Sequence, residues 1–199
     1  MAISANQVKE LRETTGAGVL ECRKALEAYE GDFGKAVTYL REKGLAAAAK
    51  KVGRVAKEGL IEVYSHGQGR VGVMVEVNCE TDFVAKTDAF RTLVHDLALH
   101  VAAANPRYLD VADVPADVVE NEKSSARNRA IQDGRPEKVL DKIVDNRLEK
   151  FYQEHCLLKQ PFVKEESTSV ENLLKQAIAT LGENVVIRRF ARWERGEDS

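Results

Sequence analysis

At 199 residues the chain is long enough for one sizeable core, or a core with a small satellite module, and 44% hydrophobic with 31% charged residues is an ordinary soluble composition. No apolar run approaches the roughly 18–20 residues of a membrane span, and Met1-Ala2-Ile3-Ser4-Ala5-Asn6 lacks the basic start and apolar run of a signal peptide; a cytoplasmic protein without a membrane segment is expected. The net charge of −2 is uneven, since residues 1–57 hold 11 Lys/Arg against 7 Asp/Glu, and a basic module ahead of an acidic body suits an acidic partner, RNA, or no special role.

The three cysteines, Cys22, Cys79 and Cys156, are far apart and odd in number. They form no CxxC and no metal spacing, which predicts reduced thiols.

Residues 4–43 read as three short helices. Ser4-Ala5-Asn6-Gln7 is a capping-box pattern, with Val8 and Leu11 marking one face behind it. Gly16-Ala17-Gly18 breaks the chain. Cys22, Ala25, Leu26 and Tyr29 recur at i, i+3, i+4, i+7; after Gly31-Asp32, Phe33, Ala36, Val37 and Leu40 repeat the spacing. Gly44 is read as the end of the set. Val19 and Leu20 fall outside the buried stripe, either as a contact patch or as packing against the first helix. Gly16 and Gly18 are no phosphate loop, because they follow a helix and no GK[ST] comes after. Residues 45–57 form an alanine-rich basic connector, helical at its start, and mark the domain boundary.

A two-stranded unit follows: Leu60–Tyr64, the turn His66-Gly67-Gln68-Gly69, and Arg70–Cys79. Val71, Val73, Val75, Val77 and Cys79 alternate with Arg70, Gly72, Met74, Glu76 and Asn78, the period of a strand with one buried face. Asn78-Cys79-Glu80-Thr81-Asp82-Phe83-Val84 then joins this strand to a helical segment. Two readings stand on pattern alone: Thr81 or Asp82 caps the helix and Phe83 plugs the core, or a rigid scaffold carries an acid and an aromatic outward at its tip.

Phe90, Leu93, Val94, Leu97, Ala98 and Val101 predict a helix ending before Pro106. His95 and His100, five apart, share no face as a metal pair would and read as ordinary helix residues. Residues 116–155 are dense in both charges, turn at Gly134-Arg135-Pro136, and carry Val139, Leu140, Ile143, Val144, Leu148 and Phe151 at roughly 3.5-residue spacing. An antiparallel helical hairpin with a thin seam is expected. Gln160-Pro161-Phe162 returns the chain to the body, Thr168-Ser169-Val170-Glu171 reads as a second capping box, and a helix carrying Leu173, Leu174, Ala177, Ile178 and Leu181 follows. Gly182-Glu183-Asn184 turns into a last strand, Val185–Trp193, with Val185, Ile187, Ala191 and Trp193 on one side. The fold class is therefore α+β: a three-helix module, then an antiparallel three-stranded sheet with helices and an inserted hairpin.

There is no Walker A, Rossmann fingerprint, GxSxG or HExxH motif, and no cysteine in a nucleophile context. The Glu165-Glu166 pair reads as solvated charge. Enzymatic chemistry has no positive support, which leaves binding. RNA recognition is one class, although aromatics are few and no RRM, KH or OB signature is present; a scaffold bridging proteins is another.

Leu11-Arg12-x-x-Thr15-Gly16-Ala17-Gly18-Val19-Leu20-x-Cys22-Arg23-Lys24-Ala25-Leu26 and Val77-Asn78-Cys79-Glu80-Thr81-Asp82-Phe83-Val84-Ala85 resemble the bacterial elongation factor Ts family. Gln160-Pro161-Phe162-Val163 and Leu181-Gly182-Glu183-Asn184-Val185-Val186-Ile187-Arg188-Arg189 are similar to that family too, in family order. The resemblance implies a guanine-nucleotide exchange factor for elongation factor Tu, with no covalent chemistry and no cofactor of its own; GDP, GTP and Mg²⁺ belong to the partner, and no direct nucleic-acid binding is expected. It implies a UBA-like module over residues 1–55, docking through Arg12, Val19 and Leu20, and a core and dimerisation domain over 56–199 that includes the hairpin at about 116–155. Many relatives carry two methionines where Val19 and Leu20 stand, so the apolar character survives without methionine's adaptability. Thr81, Asp82, Phe83 and Val84 correspond to the family's intruding segment, which disturbs Mg²⁺ and phosphate binding; Leu181 and Gly182 correspond to a supporting turn, and His66 to a histidine-bearing hairpin. Longer relatives hold two copies of the strand-and-helix core and this chain holds one, so a homodimer is expected, with the strand edges as its surface.

Overall fold

The structure is a computed structural model and describes residues 3–197; positions 1, 2, 198 and 199, inside the predicted domain limits, lie outside the described residues. In chain order the elements are α1 (Ala5–Thr15), α2 (Val19–Ala28), α3 (Phe33–Ala49), β1 (Glu58–His66), β2 (Val71–Cys79), α4 (Asp82–Ala85), α5 (Asp88–Ala104), α6 (Ala116–Gln132), α7 (Leu140–His155), β3 (Pro161–Phe162), β4 (Glu165–Ser169), α8 (Val170–Leu181) and β5 (Val186–Glu194). Helices and an antiparallel sheet in the order β1-β2-β5 make the fold α+β. The chain divides into two compact units. One holds the described residues up to Leu60, with Val77–Val94 and Asn172–Arg188; the other holds Ile61–Glu76, His95–Glu171 and the described residues from Arg189.

In the first unit, local signals and burial agree. Ser4 Oγ accepts the Gln7 N–H at 3.2 Å while Gln7 Oε1 accepts the Ser4 N–H at 2.9 Å, closing the capping box that starts α1. Gly16 ends α1 in the left-handed region and donates its N–H to the Arg12 carbonyl, and Asp32 caps α3 by accepting the Lys35 N–H at 3.0 Å. Val8, Leu11, Cys22, Ala25, Leu26, Ala36 and Leu40 then form one buried cluster, with Ile3, Phe33 and Val37 packed on it.

Gly44 does not end the third helix: α3 runs through it to Ala49. A Cβ at Gly44 would lie 3.2 Å from Ala179 Cβ in α8. This glycine marks a close helix approach rather than a stop.

In the second unit, α6 and α7 lie side by side, joined by Arg147 to Glu122 at 2.8 Å and by Arg127 to Asp141. Small residues on α6, Ala126 and Ala130, and larger ones on α7, Leu140 and Val144, are buried. His100 is buried and neutral. The Val163 N–H donates to its Nδ1 at 3.3 Å, so the ring proton sits on Nε2, which donates to Gln160 Oε1 at 3.0 Å. The Gln160 amide completes the network by donating to the Glu154 carbonyl at 2.9 Å. Burial holds the His100 pKa below the usual histidine value, against the smaller opposing effect of the Gln160 bond.

Thr168 and Ser169 end β4, which pairs with β3 in a short ladder interrupted by an irregularity, and α8 starts directly after Ser169, one residue later than a cap at Thr168 would place it. Of the residues read on one side of the last strand, Val185 and Ile187 are buried, but Trp193 is 61% exposed. The Arg192 side chain takes the inward side there, donating to the Ala102 carbonyl at 3.3 Å and ion-pairing with Glu194 and Glu197. All three cysteines are free and buried, and burial pushes the Cys156 thiol up to about 11.

Candidate functional site

Strand β2 ends at Cys79 with its odd-numbered side chains all buried. The Cys79 thiol donates to the Thr81 carbonyl at 3.2 Å, and burial raises its pKa, so it remains a neutral core group. Thr81 then turns the chain. Its extended backbone and its Oγ1, which accepts the Val84 N–H at 3.4 Å, make it the N-cap of the single-turn helix α4.

The turn reverses the usual order of apolar residues. Ala85 is buried while Phe83 is 79% exposed, so the core-plug reading of Phe83 is overturned. Asp82 is half-buried and ion-pairs with Lys86 at 2.6 Å. The Lys86 ammonium, as hydrogen-bond donor first and as charge second, holds the Asp82 carboxyl below the usual carboxylate range. The segment thus presents a fixed anion beside a bare aromatic ring.

What holds this tip comes from the far end of the chain. Glu183 Oε2 accepts the backbone N–H groups of Glu80 at 3.1 Å and Thr81 at 3.0 Å, and Glu183 Oε1 accepts the Thr81 hydroxyl at 2.6 Å. In return, Glu80 Oε1 accepts the Asn184 N–H at 2.7 Å, and the buried Asn184 amide donates to the Arg54 carbonyl at 2.8 Å. Glu183 is reached through Gly182, whose φ of +80° closes α8 just after Leu181. A side chain is strained in that conformation, so glycine fits.

Arg12, Val19 and Leu20 sit at the α1–α2 break. Val19 is 52% and Leu20 72% exposed, so neither is core. Val19 and Arg12 line a hollow of about 390 Å³ with Ile3, Val8, Lys9 and Arg23, an apolar floor rimmed by cations. The same break touches α8: a Cβ at Gly16 would lie 2.9 Å from Thr180 Cγ2. The end of α8 therefore meets both the α1–α2 break, through Thr180, and the Thr81 turn, through Glu183. His66 belongs to the other unit, where its Nδ1 is 3.1 Å from the Tyr64 hydroxyl.

Neither Glu183 nor Thr180 stands out as a functional residue in the sequence, because their partners lie more than a hundred residues away. The one available signal was an acid directly after a helix-ending glycine. No group of His, Cys, Asp and Glu among the described residues could hold a metal ion, and among them no helix is long and apolar enough to cross a membrane.

A family profile described as Elongation factor TS matches residues 6–197. The chain is 58% identical over 195 residues to "Elongation factor Ts" of Caldanaerobacter subterraneus subsp. tengcongensis, covering 98% of both chains. It is 57% identical to the protein of that name from Moorella thermoacetica, covering 98% of this chain and 96% of the relative. The match to the Heliobacterium modesticaldum protein of that name is 56%, covering 98% and 91%. This chain belongs to the elongation factor Ts family. The family match over residues 6–197 takes in the helical triple, the Thr81–Val84 turn, the Leu181–Asn184 turn and β5. Family membership thus rests on the whole chain and not on the four motifs alone.

Proposed function

We propose that this chain is a guanine-nucleotide exchange factor that binds the GDP form of elongation factor Tu and promotes GDP release, so that GTP can bind. The observation that carries the reading is Phe83, bare at the tip of a hydrogen-bonded turn with the Asp82 carboxylate beside it. A large aromatic left in water by its own fold suits insertion into a partner.

No bond is made or broken in this function, and the chain needs no cofactor of its own. The factor binds the nucleotide-free partner more tightly than the nucleotide-bound one, and linkage then weakens nucleotide by the same factor. A 10⁴-fold weakening corresponds to about 5.5 kcal/mol of differential binding. Burying one phenylalanine supplies roughly 1.5–3 kcal/mol, so a wider docking surface must supply the rest. Mg²⁺ demands near-ideal octahedral geometry, and a wedge of Asp82 and Phe83, flanked by Thr81 and Val84, would displace its ligands on the partner. Arg12, Val19 and Leu20 would dock the three-helix module, a UBA-like unit spanning residues 1–55. Leu181 and Gly182 would back the wedge, and His66 would add a secondary contact. Residues 56–199 would form the core, with the hairpin at 116–155 inserted into it, in a cytoplasmic protein.

A homodimer belongs to the same reading, and a strand face supports it better than an edge. Glu62 and Tyr64 contact His95 of α5, and Arg192 reaches Ala102 of α5, so their strand neighbours face the other way. That other face carries Ile61, Val63, Met74 and Trp193, all exposed, an apolar patch suited to a second copy. The function is tested by following labelled GDP on elongation factor Tu with and without this chain. Acceleration of release at catalytic amounts is expected, and binding without acceleration would reduce the protein to a scaffold.

A further inference from the structure

We propose that Glu183 is the positioning residue of the Asp82–Phe83 wedge: its carboxylate clamps the Glu80–Thr81 backbone and thereby holds the exposed ring in its inserting orientation. The inference rests on the exchange-factor reading above and adds a residue to it.

Phe83 has almost no contact surface of its own to fix it, being 79% exposed. Its orientation must come from the backbone behind it. That backbone is the short stretch from Cys79 to α4, and α4 is only four residues long. A single helical turn has no stability by itself, so something else must hold it.

Glu183 meets that need. Its two oxygens accept three hydrogen bonds, from the N–H groups of Glu80 and Thr81 and from the Thr81 hydroxyl. Bonds to an ionised acceptor are roughly twice as strong as neutral ones. The Thr81 hydroxyl cannot rotate away, because its proton goes to Glu183 while its oxygen caps Val84. The direction of the first helical N–H groups is thus set from across the chain. The reciprocal bond from the Asn184 N–H to Glu80 keeps Glu183 in register, and Asn184 is itself tied to the Arg54 carbonyl. A carboxylate needed only for solubility would not be spent on two successive backbone N–H groups and a hydroxyl.

The test uses full-length Glu183→Ala, the milder Thr81→Val and Glu183→Gln, Phe83→Ala, and the double variant Glu183→Ala/Phe83→Ala. Amide hydrogen exchange in the free protein reads the clamp without the partner. In Glu183→Ala, the Glu80, Thr81 and Val84 amides should exchange at least tenfold faster while the β2 core amides keep their protection. Unchanged exchange at those three positions overturns the clamp. Stimulated release of labelled GDP from elongation factor Tu reads the consequence. Glu183→Ala should lose tenfold or more of the stimulation, with Thr81→Val and Glu183→Gln intermediate and the melting midpoints of these two close to wild type. In the Phe83→Ala background, Glu183→Ala should add no further loss, since it acts through the ring. Full additivity there, or full activity in Glu183→Ala with the clamp open, overturns the positioning role. If Phe83→Ala alone stimulates release as wild type does, the wedge reading itself fails, and the exchange rates of the free protein still decide whether Glu183 clamps the turn.

Discussion

At the scale of single residues, the chain separates groups that hold the fold from groups offered outward. His100 is the clearest of the first kind. Its Nδ1 accepts a backbone N–H and its Nε2 proton goes to Gln160, an arrangement possible only for the neutral ring. Its folded pKa is lowered by burial, and that of His155 is lowered too, first by burial and then by Arg107. In the unfolded chain both titrate near the ordinary value of about 6.5. The unfolded state therefore binds more protons below that pH, and the stability these residues contribute, full above about 6.5, falls as pH drops through the window beneath it. Urea midpoints should fall from pH 7.5 to pH 5.5, and the His100 ring resonances should titrate below 6.5; a His100 titration above 6.5 would contradict the network. Phe83 is of the second kind, and its exposure was not legible from local pattern. An apolar residue at a strand-to-helix junction reads either as core or as an outward tip, and the family resemblance favoured the tip. Glu183 was less legible still, because a carboxylate's backbone partners 102 and 103 residues away exist only once the chain is folded.

At the scale of elements, what was legible followed from burial on one side. The β2 strand, with five buried residues at period two, was read correctly because nothing interrupts its alternation. The α1–α3 faces were legible for the same reason. Where tertiary contacts override the pattern, sequence reading failed. The β3–β4 ladder has a two-residue strand opposite Glu-Glu-Ser-Thr-Ser, which carries no apolar period. In β5, Arg192 is drawn inward by a helix carbonyl, which no alternation rule anticipates. Gly44 was read as a stop, but it is the contact point of α3 with α8. Gly44→Leu should therefore destabilise the protein by about 1–3 kcal/mol through overpacking, although leucine gains up to about 1 kcal/mol in helix propensity. Chemical denaturation checks this; a stabilised variant would mean the helices separate easily and the glycine is incidental.

At the scale of the whole molecule, the chain combines family membership, a presented wedge and an exposed apolar sheet face. The α+β class and the family were legible from motifs spread along the chain, and the profile match over residues 6–197 bears the family out. The exposed apolar face of Ile61, Val63, Met74 and Trp193 was not foreseen, because alternation along a strand does not say which of its two faces a helix covers. Sedimentation at micromolar concentration should give a dimer, and Val63→Asp should shift it to monomer without changing the secondary structure. A monomer in the wild type with exchange activity intact would remove the dimer from the account. The central claim, that Phe83 acts on a partner and not on its own core, is met most directly by one comparison: the rate of labelled-GDP release from elongation factor Tu with the wild-type chain and with Phe83→Ala, alongside the melting midpoint of each. Phe83→Ala should lose most of the stimulation and melt as the wild type does. Undiminished release, or a variant that unfolds, would contradict that claim.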